Sequence, residues 1–153
     1  MKKILLSAIF VFILTAAGSA SAQTVSGSIG NGSVERGRAA RGTIVLTIPG
    51  NLHVNSNRPN SKYAIPTTVR VSSPNAKVSA VSYPRGKNRK FQFSDEAINV
   101  YEGRVAFNFN VTVPANFRGN AIRVRAVVRY QACTDEVCYP PKSQEVTLTA
   151  RVK

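Results

Sequence analysis

Two cysteines, Cys133 and Cys138, are the residues of this chain best suited to carry chemistry. Four residues separate them, in the stretch Tyr130-Gln-Ala-Cys-Thr-Asp-Glu-Val-Cys-Tyr-Pro-Pro141. A thiol pair at this spacing can form a disulfide and take part in thiol–disulfide exchange, in which an attacking thiolate passes through a mixed disulfide. Other chemistries lack their parts. His53, the one histidine, is far from the pair in sequence, and two thiols alone supply too few ligands for a zinc site. No metal or cofactor is therefore expected. His53 has no nucleophile elbow near it in sequence, so a hydrogen-bonded structural role is the expectation for it. Asp95-Glu96 and Asp135-Glu136 are neighbouring acids in loop-like stretches, whereas a general acid/base pair needs divergent environments. No glycine-rich phosphate loop is present.

The flanking segments indicate how the cysteines are held. Val124, Ala126, Val128, Tyr130 and Ala132 alternate with Arg123, Arg125, Arg129 and Gln131, and Val146, Leu148, Ala150 and Val152 alternate with Glu145, Thr147, Thr149 and Arg151. A period of two on both sides of a short polar turn predicts an antiparallel hairpin near the C-terminus, with the cysteines facing each other at its mouth. Opposed antiparallel Cα atoms lie about 4.5–5.5 Å apart, a gap that a disulfide spans. Similar alternation predicts strands over residues 42–48, 67–71, 77–82 and 104–113. The last of these places Val105, Phe107, Phe109, Val111 and Val113 on one face. Residues 23–42 read as an edge strand and a turn, and His53 falls in or at the end of a strand. The basic run Arg85–Lys90 reads as a loop. Seven or eight short strands, with turn residues between them and no helical period outside the N-terminus, predict an all-β sandwich of immunoglobulin-like size.

The N-terminus carries Lys2-Lys3, an apolar run from Ile4 to Ala17 and Ala20-Ser21-Ala22. These are the parts of a cleavable secretory signal. The expected organisation is a signal over residues 1–22 and one exported domain over 23–153, with no stable membrane insertion after cleavage. Export favours pairing of the two thiols. The formal charge of +14 becomes +12 without Lys2 and Lys3. Nucleic acid is not the expected partner, because many of the arginines alternate with apolar residues as on a solvated sheet face.

A disulfide that closes about six residues restrains the unfolded chain by roughly 2 kcal/mol, against ~3 kcal/mol for a 15-residue loop. A bond serving stability would do better tying distant strands together. Asp135 and Glu136 between the cysteines raise a thiol's pKa, and Arg129 and Lys142 are candidates to offset them. Such a pair suits a disulfide awaiting attack better than an initiating thiolate. Two readings stand on the residues alone. One is a redox pair, the other a structural staple in an immunoglobulin-like envelope module that binds an anionic partner.

The stretch Tyr130–Pro141 resembles the active-site hairpin of the periplasmic, DsbC-interacting N-terminal domain of the thiol:disulfide interchange protein DsbD. Leu52–Pro59, Ile65-Pro66-Thr67 and Tyr101-Glu102-Gly103 fit the same family. The resemblance implies an immunoglobulin-like β-sandwich whose Cys133 and Cys138 pass reducing equivalents between thioredoxin-like proteins outside the cytoplasm, with Cys138 forming the mixed disulfide. It also implies that Tyr130, Tyr139 and Pro140 frame the pair, and that Phe91 or Phe93 belongs to a cap loop, core burial being the other role open to either ring. Full-length DsbD continues into a membrane electron-transfer domain and a thioredoxin-like domain, whereas this chain stops at Lys153. The expected donor is thus a separate thioredoxin-like or membrane electron-transfer protein, and the acceptor an exported protein bearing a disulfide.

Overall fold

The computed structural model describes residues 22–153. Of the expected signal, all but Ala22 lies outside the described residues. Among these residues the chain is built of strands, and no helix is long and apolar enough to cross a membrane.

The alternating segments form two antiparallel ladders. In the first, β3 (Ala39–Thr47) is flanked by the edge strand β1 (Thr24–Ile29) and by β9 (Arg104–Thr112), which also pairs with β6 (Lys77–Val78). In the second, β10 (Ala121–Tyr130) lies between β5 (Thr68–Ser72) and β12 (Lys142–Val152), and the short β2 (Ser33–Val34) runs parallel to β12 at the edge. A period of two sends every second side chain to one face. Ile44, Leu46, Val105, Phe107, Phe109 and Val111 of the first sheet thus share a core with Ile122, Val124, Ala126, Val128, Leu148 and Ala150 of the second. The result is an immunoglobulin-like β-sandwich with a cysteine-bearing hairpin at its C-terminal end. Phe107 is fully buried and meets Tyr83 and Tyr101 edge-on, with centroids 5.5 and 5.8 Å away.

A third, smaller sheet leans on one end of the sandwich. Its order is β11 (Ala132–Cys133), β4 (His53–Asn55), β8 (Ile98–Tyr101) and β7 (Lys87–Arg89). Here the structure corrects the sequence reading. The basic run expected to be a loop supplies β7, because β8 needs a partner along its free edge and Lys87–Arg89 pairs with Ile98–Val100. Among the described residues there are twelve strands in place of seven or eight, since several are only two or three residues long and too short to show a period. Of the strand expected over residues 77–82, only Lys77–Val78 joins the ladder; Ser82 meets Asn108 as an isolated bridge.

The core makes a direct prediction. Phe107→Ala leaves a cavity lined by Tyr83 and Tyr101, and the expected loss is about 3–5 kcal/mol, read from the midpoint of urea unfolding.

Candidate functional site

The hairpin of β10 and β12 is the stem that carries the cysteines. Its regular register ends at Tyr130 opposite Lys142. The next pairing is the bond from the Tyr139 amide to the Ala132 carbonyl, 2.9 Å. Gln131 on one side therefore faces both Pro140 and Pro141 on the other, a β-bulge. Proline has no N–H to offer a ladder, which makes this pair suited to the extra residue. The bulge swings the tip away from the second sheet and onto β4, where Ala132 pairs with Val54 and Cys133 with His53.

Gln131 fills the kink. Its amide nitrogen donates to the Tyr139 carbonyl at 3.1 Å, and its amide oxygen accepts from Asn55 at 3.4 Å. The Asn55 amide also donates to the Ile65 carbonyl, 3.0 Å, and the Thr67 hydroxyl donates to the Asn55 carbonyl, 2.6 Å. Tyr130 is buried beneath the stem, where its hydroxyl accepts from Gln144 at 2.7 Å. At the apex the Thr134 amide donates to the Val137 carbonyl, 2.8 Å, while the Thr134 hydroxyl accepts from the amides of Glu136 and Val137 at 3.2 and 3.0 Å. These bonds leave Cys133 and Cys138 as a non-hydrogen-bonded cross-strand pair, the type in which side chains approach most closely. They form a disulfide with Cα atoms 4.0 Å apart.

The two sulfurs have unequal surroundings. Cys133 is completely buried, whereas Cys138 is exposed. Cys138 borders a cleft of about 230 Å³ together with Asn55, Tyr63, Ala64, Phe93 and Gln131. Four large apolar side chains are exposed among the described residues, and all belong to this neighbourhood. Val137 and Tyr139 flank Cys138 in sequence, and Tyr63 and Phe93 line its cleft. Tyr139 and Pro140 also border a second cleft, with Leu52, Ala132 and Lys142. The two phenylalanines divide their roles. Phe91 is buried and stacks on His53 at 4.4 Å, while Phe93 is 49% exposed and stacks on Phe91 at 5.2 Å.

The acids in the tip find a different cation from those expected. Arg129 and Lys142 lie on the stem, and it is Arg89 on β7 that reaches Asp135, at 3.4 Å. Arg89 also bonds Glu102 at 2.5 Å and lies over the Phe91 ring. The Arg89 guanidinium holds the Glu102 carboxyl below its usual range, with Lys87 and His53 adding to the effect and desolvation opposing it. Burial lowers the pKa of His53, and Arg89 lowers it further, with Asp135 and Glu102 pulling the other way.

His53 is far from the cysteine pair in sequence. It lies directly opposite Cys133, because β4 is the strand onto which the bulged tip folds. Gln131, Thr134 and Arg89 were likewise not singled out. Thr134 does carry a legible signal, since a threonine just before Asp-Glu favours a side-chain-tied turn. Arg89 carries none, as its neighbours come from distant segments.

The described residues thus form a β-sandwich whose C-terminal hairpin carries a disulfide with one buried and one exposed cysteine. The family model of the N-terminal region of the thiol:disulfide interchange protein DsbD matches residues 33–150, and the chain belongs to that family. The thiol:disulfide interchange protein DsbD of Actinobacillus pleuropneumoniae serotype 5b (strain L20) is 28% identical over 86 residues, which are 56% of this chain and 14% of that protein. The chain thus spans only a small part of that relative. The N-terminal periplasmic domain of ScsB from Proteus mirabilis shares the fold, with a TM-score of 0.51 at 8% identity over 84% of this chain and 44% of that one. The N-terminal domain of Neisseria meningitidis DsbD, solved in its reduced form, gives a TM-score of 0.46 at 18% identity over 72% of this chain and 80% of that one. The stretches that carry the family resemblance converge in space. Leu52–Pro59 supplies β4, Ile65-Pro66-Thr67 braces Asn55, and Tyr101 donates to Asn57 at 2.7 Å ahead of a turn in which Gly103 takes a positive φ of 65°.

Two predictions follow from this geometry. The disulfide closes only the tip, so the reduced protein is expected to stay folded and to lose about 2 kcal/mol, as urea unfolding with and without reductant would show. Glu102 has a lowered folded-state pKa, so its contribution to stability is complete above the ordinary carboxylate range and is lost as pH falls through the folded value. Glu102→Gln is expected to flatten the acid limb of a stability–pH curve while leaving its alkaline limb unchanged.

Proposed function

We propose that this chain is an exported thiol–disulfide interchange relay, in which the Cys133–Cys138 pair passes reducing equivalents between thioredoxin-like proteins. The observation that carries the reading is the inequality of the two sulfurs, one sealed and one exposed amid apolar side chains. Exchange requires a line of approach to one sulfur, and the chain offers it at Cys138. A donor thiolate attacks Cys138 Sγ, a bond forms between the two proteins, and the electron pair of the broken disulfide passes to Cys133. The donor's second thiolate then attacks its own bonded sulfur and releases Cys138, leaving a dithiol here and a disulfide on the donor. That dithiol reduces the disulfide of an exported client by the same steps in reverse.

The remaining roles agree with this chemistry. Val137, Tyr139 and Phe93 provide apolar contact around the reactive sulfur, as is common at the centre of protein interfaces. Phe93 acts as the cap residue, and Phe91 anchors the segment that carries it. Tyr130 and Pro140 set the stem and the bulge. Residues 1–22 act as the export signal, which places the domain in the periplasm or an equivalent compartment where exchange partners meet it.

Trapping tests the relay. With a thioredoxin-like protein as partner, Cys138→Ser is expected to abolish exchange, whereas Cys133→Ala, offered the partner in its disulfide form, accumulates a mixed disulfide through Cys138 that gel electrophoresis without reductant resolves. Exchange at the wild-type rate by both variants would falsify the reading. The reduction potential gives an independent check. Structural bonds in secreted proteins lie below about −300 mV, and the relay requires a higher value.

A further inference from the structure

The chemistry above leaves a charge in an awkward place. When Cys138 Sγ is attacked, the electron pair of the disulfide goes to Cys133 Sγ, a sulfur with no solvent exposure. A thiolate in apolar surroundings is disfavoured, and the nearby Asp135 adds repulsion. Something on that face must receive the charge.

The side chains that face Cys133 narrow the choice. Cys133 and His53 are paired residues of the β11–β4 ladder. Directly opposed antiparallel residues project to one face, with Cβ atoms about 4.5–5.5 Å apart. The ring of His53 is only 2% exposed, and Phe91, stacked at 4.4 Å and 19°, roofs it. The charged groups around the ring are Arg89 from β7, Glu102 after β8 and Asp135 in the tip. Arg89 is committed to Glu102 and Asp135. His53 remains as the one proton-bearing side chain paired directly with the buried cysteine. A neutral imidazole donates one N–H, and an imidazolium donates two.

We propose that His53 is the residue that receives the charge developing on Cys133, first by hydrogen bonding to the leaving thiolate and then by passing it a proton. The inference rests on the relay reading and gives the chain's only histidine a part in it. Protons and electrons balance as follows. The donor dithiol supplies two electrons and is itself oxidised to a disulfide. Cys138, being exposed, takes its proton from solvent, and Cys133 takes its proton through His53, which is itself reprotonated from solvent. Burial and Arg89 lower the pKa of the ring while the disulfide is intact. A thiolate beside it acts in the opposite direction and draws a proton onto it.

The test uses the whole mature chain with Cys138→Ser, so that Cys133 is a lone thiol whose titration is followed by thiolate absorbance. His53→Phe keeps a ring to stack on Phe91 and removes the donor, and His53→Gln restores an N–H without a titratable group. Against the Cys138→Ser background, His53→Phe is expected to reduce the thiolate fraction of Cys133 near neutral pH about tenfold, one pKa unit. His53→Gln is expected to recover part of that loss. In the chain with both cysteines, His53→Phe should also make the pair more reducing. Equal Cys133 titration curves in all three proteins would overturn the proposal, and should His53→Phe not fold, His53→Gln against the parent decides it by the same curve. The titration needs no partner. Its failure therefore counts against His53, whereas failure of the wild-type chain to exchange with a dithiol counts against the relay.

Discussion

The short ladder between β11 and β4 is the interaction on which the site depends. Two residue pairs, Ala132 with Val54 and Cys133 with His53, hold the hairpin tip against the third sheet. One pair faces inward, since Ala132 and Val54 belong to the main core. The other faces the segment that carries Phe91. The tip thereby shares its rigidity with the sandwich on one side and its chemistry with the small sheet on the other. Without this pairing the hairpin would end as a free turn beyond Tyr130, and both sulfurs would be wet. Burial of one of them is thus a property of the tertiary fold and not of the hairpin.

Much of the architecture was legible in the sequence because long alternating strands declare which face is buried. Val124 through Ala132 and Val105 through Val113 are arranged as their period implies, and the same alternation located the hairpin. Legibility failed where elements were short or polar. Lys87–Arg89 has no apolar period and pairs only because β8 presents an edge. The bulge opposite Gln131 is a displacement of one residue, invisible to a pattern that continues unbroken along β10 and into β11. The placement of His53 was hidden for the same reason, since distance along the chain says nothing about which strand a bulged tip will land on. The family resemblance marked the right stretches, and the three-dimensional arrangement supplied the physical reason that they belong together.

Charge is distributed unevenly over the molecule. The chain has 21 basic and 7 acidic residues, yet Glu102 and Asp135 meet at the site, tied to one arginine. The outer face of the second sheet carries Arg123, Arg125 and Arg129 in an exposed row, with Arg125 bonded to Glu145. Such exposed pairs contribute little to stability. Arg89 differs because it reaches across the small sheet to segments outside its own strand. Its partners come from the hairpin tip and from the turn after β8, and its own strand closes the small sheet. A single side chain thus sets the electrostatic setting of both the ring and the loop around the sulfurs.

The bulge at Pro140–Pro141 has a consequence for the company the molecule keeps. The strand that returns from Cys138 is the outer margin of the small sheet, and a margin with free amides invites another strand to add to it. Two successive exposed prolines remove the amides from that margin just beyond the exposed sulfur. Backbone zippering is thereby disfavoured along that stretch. A strand arriving at this edge would meet side chains and a sulfur in place of backbone donors.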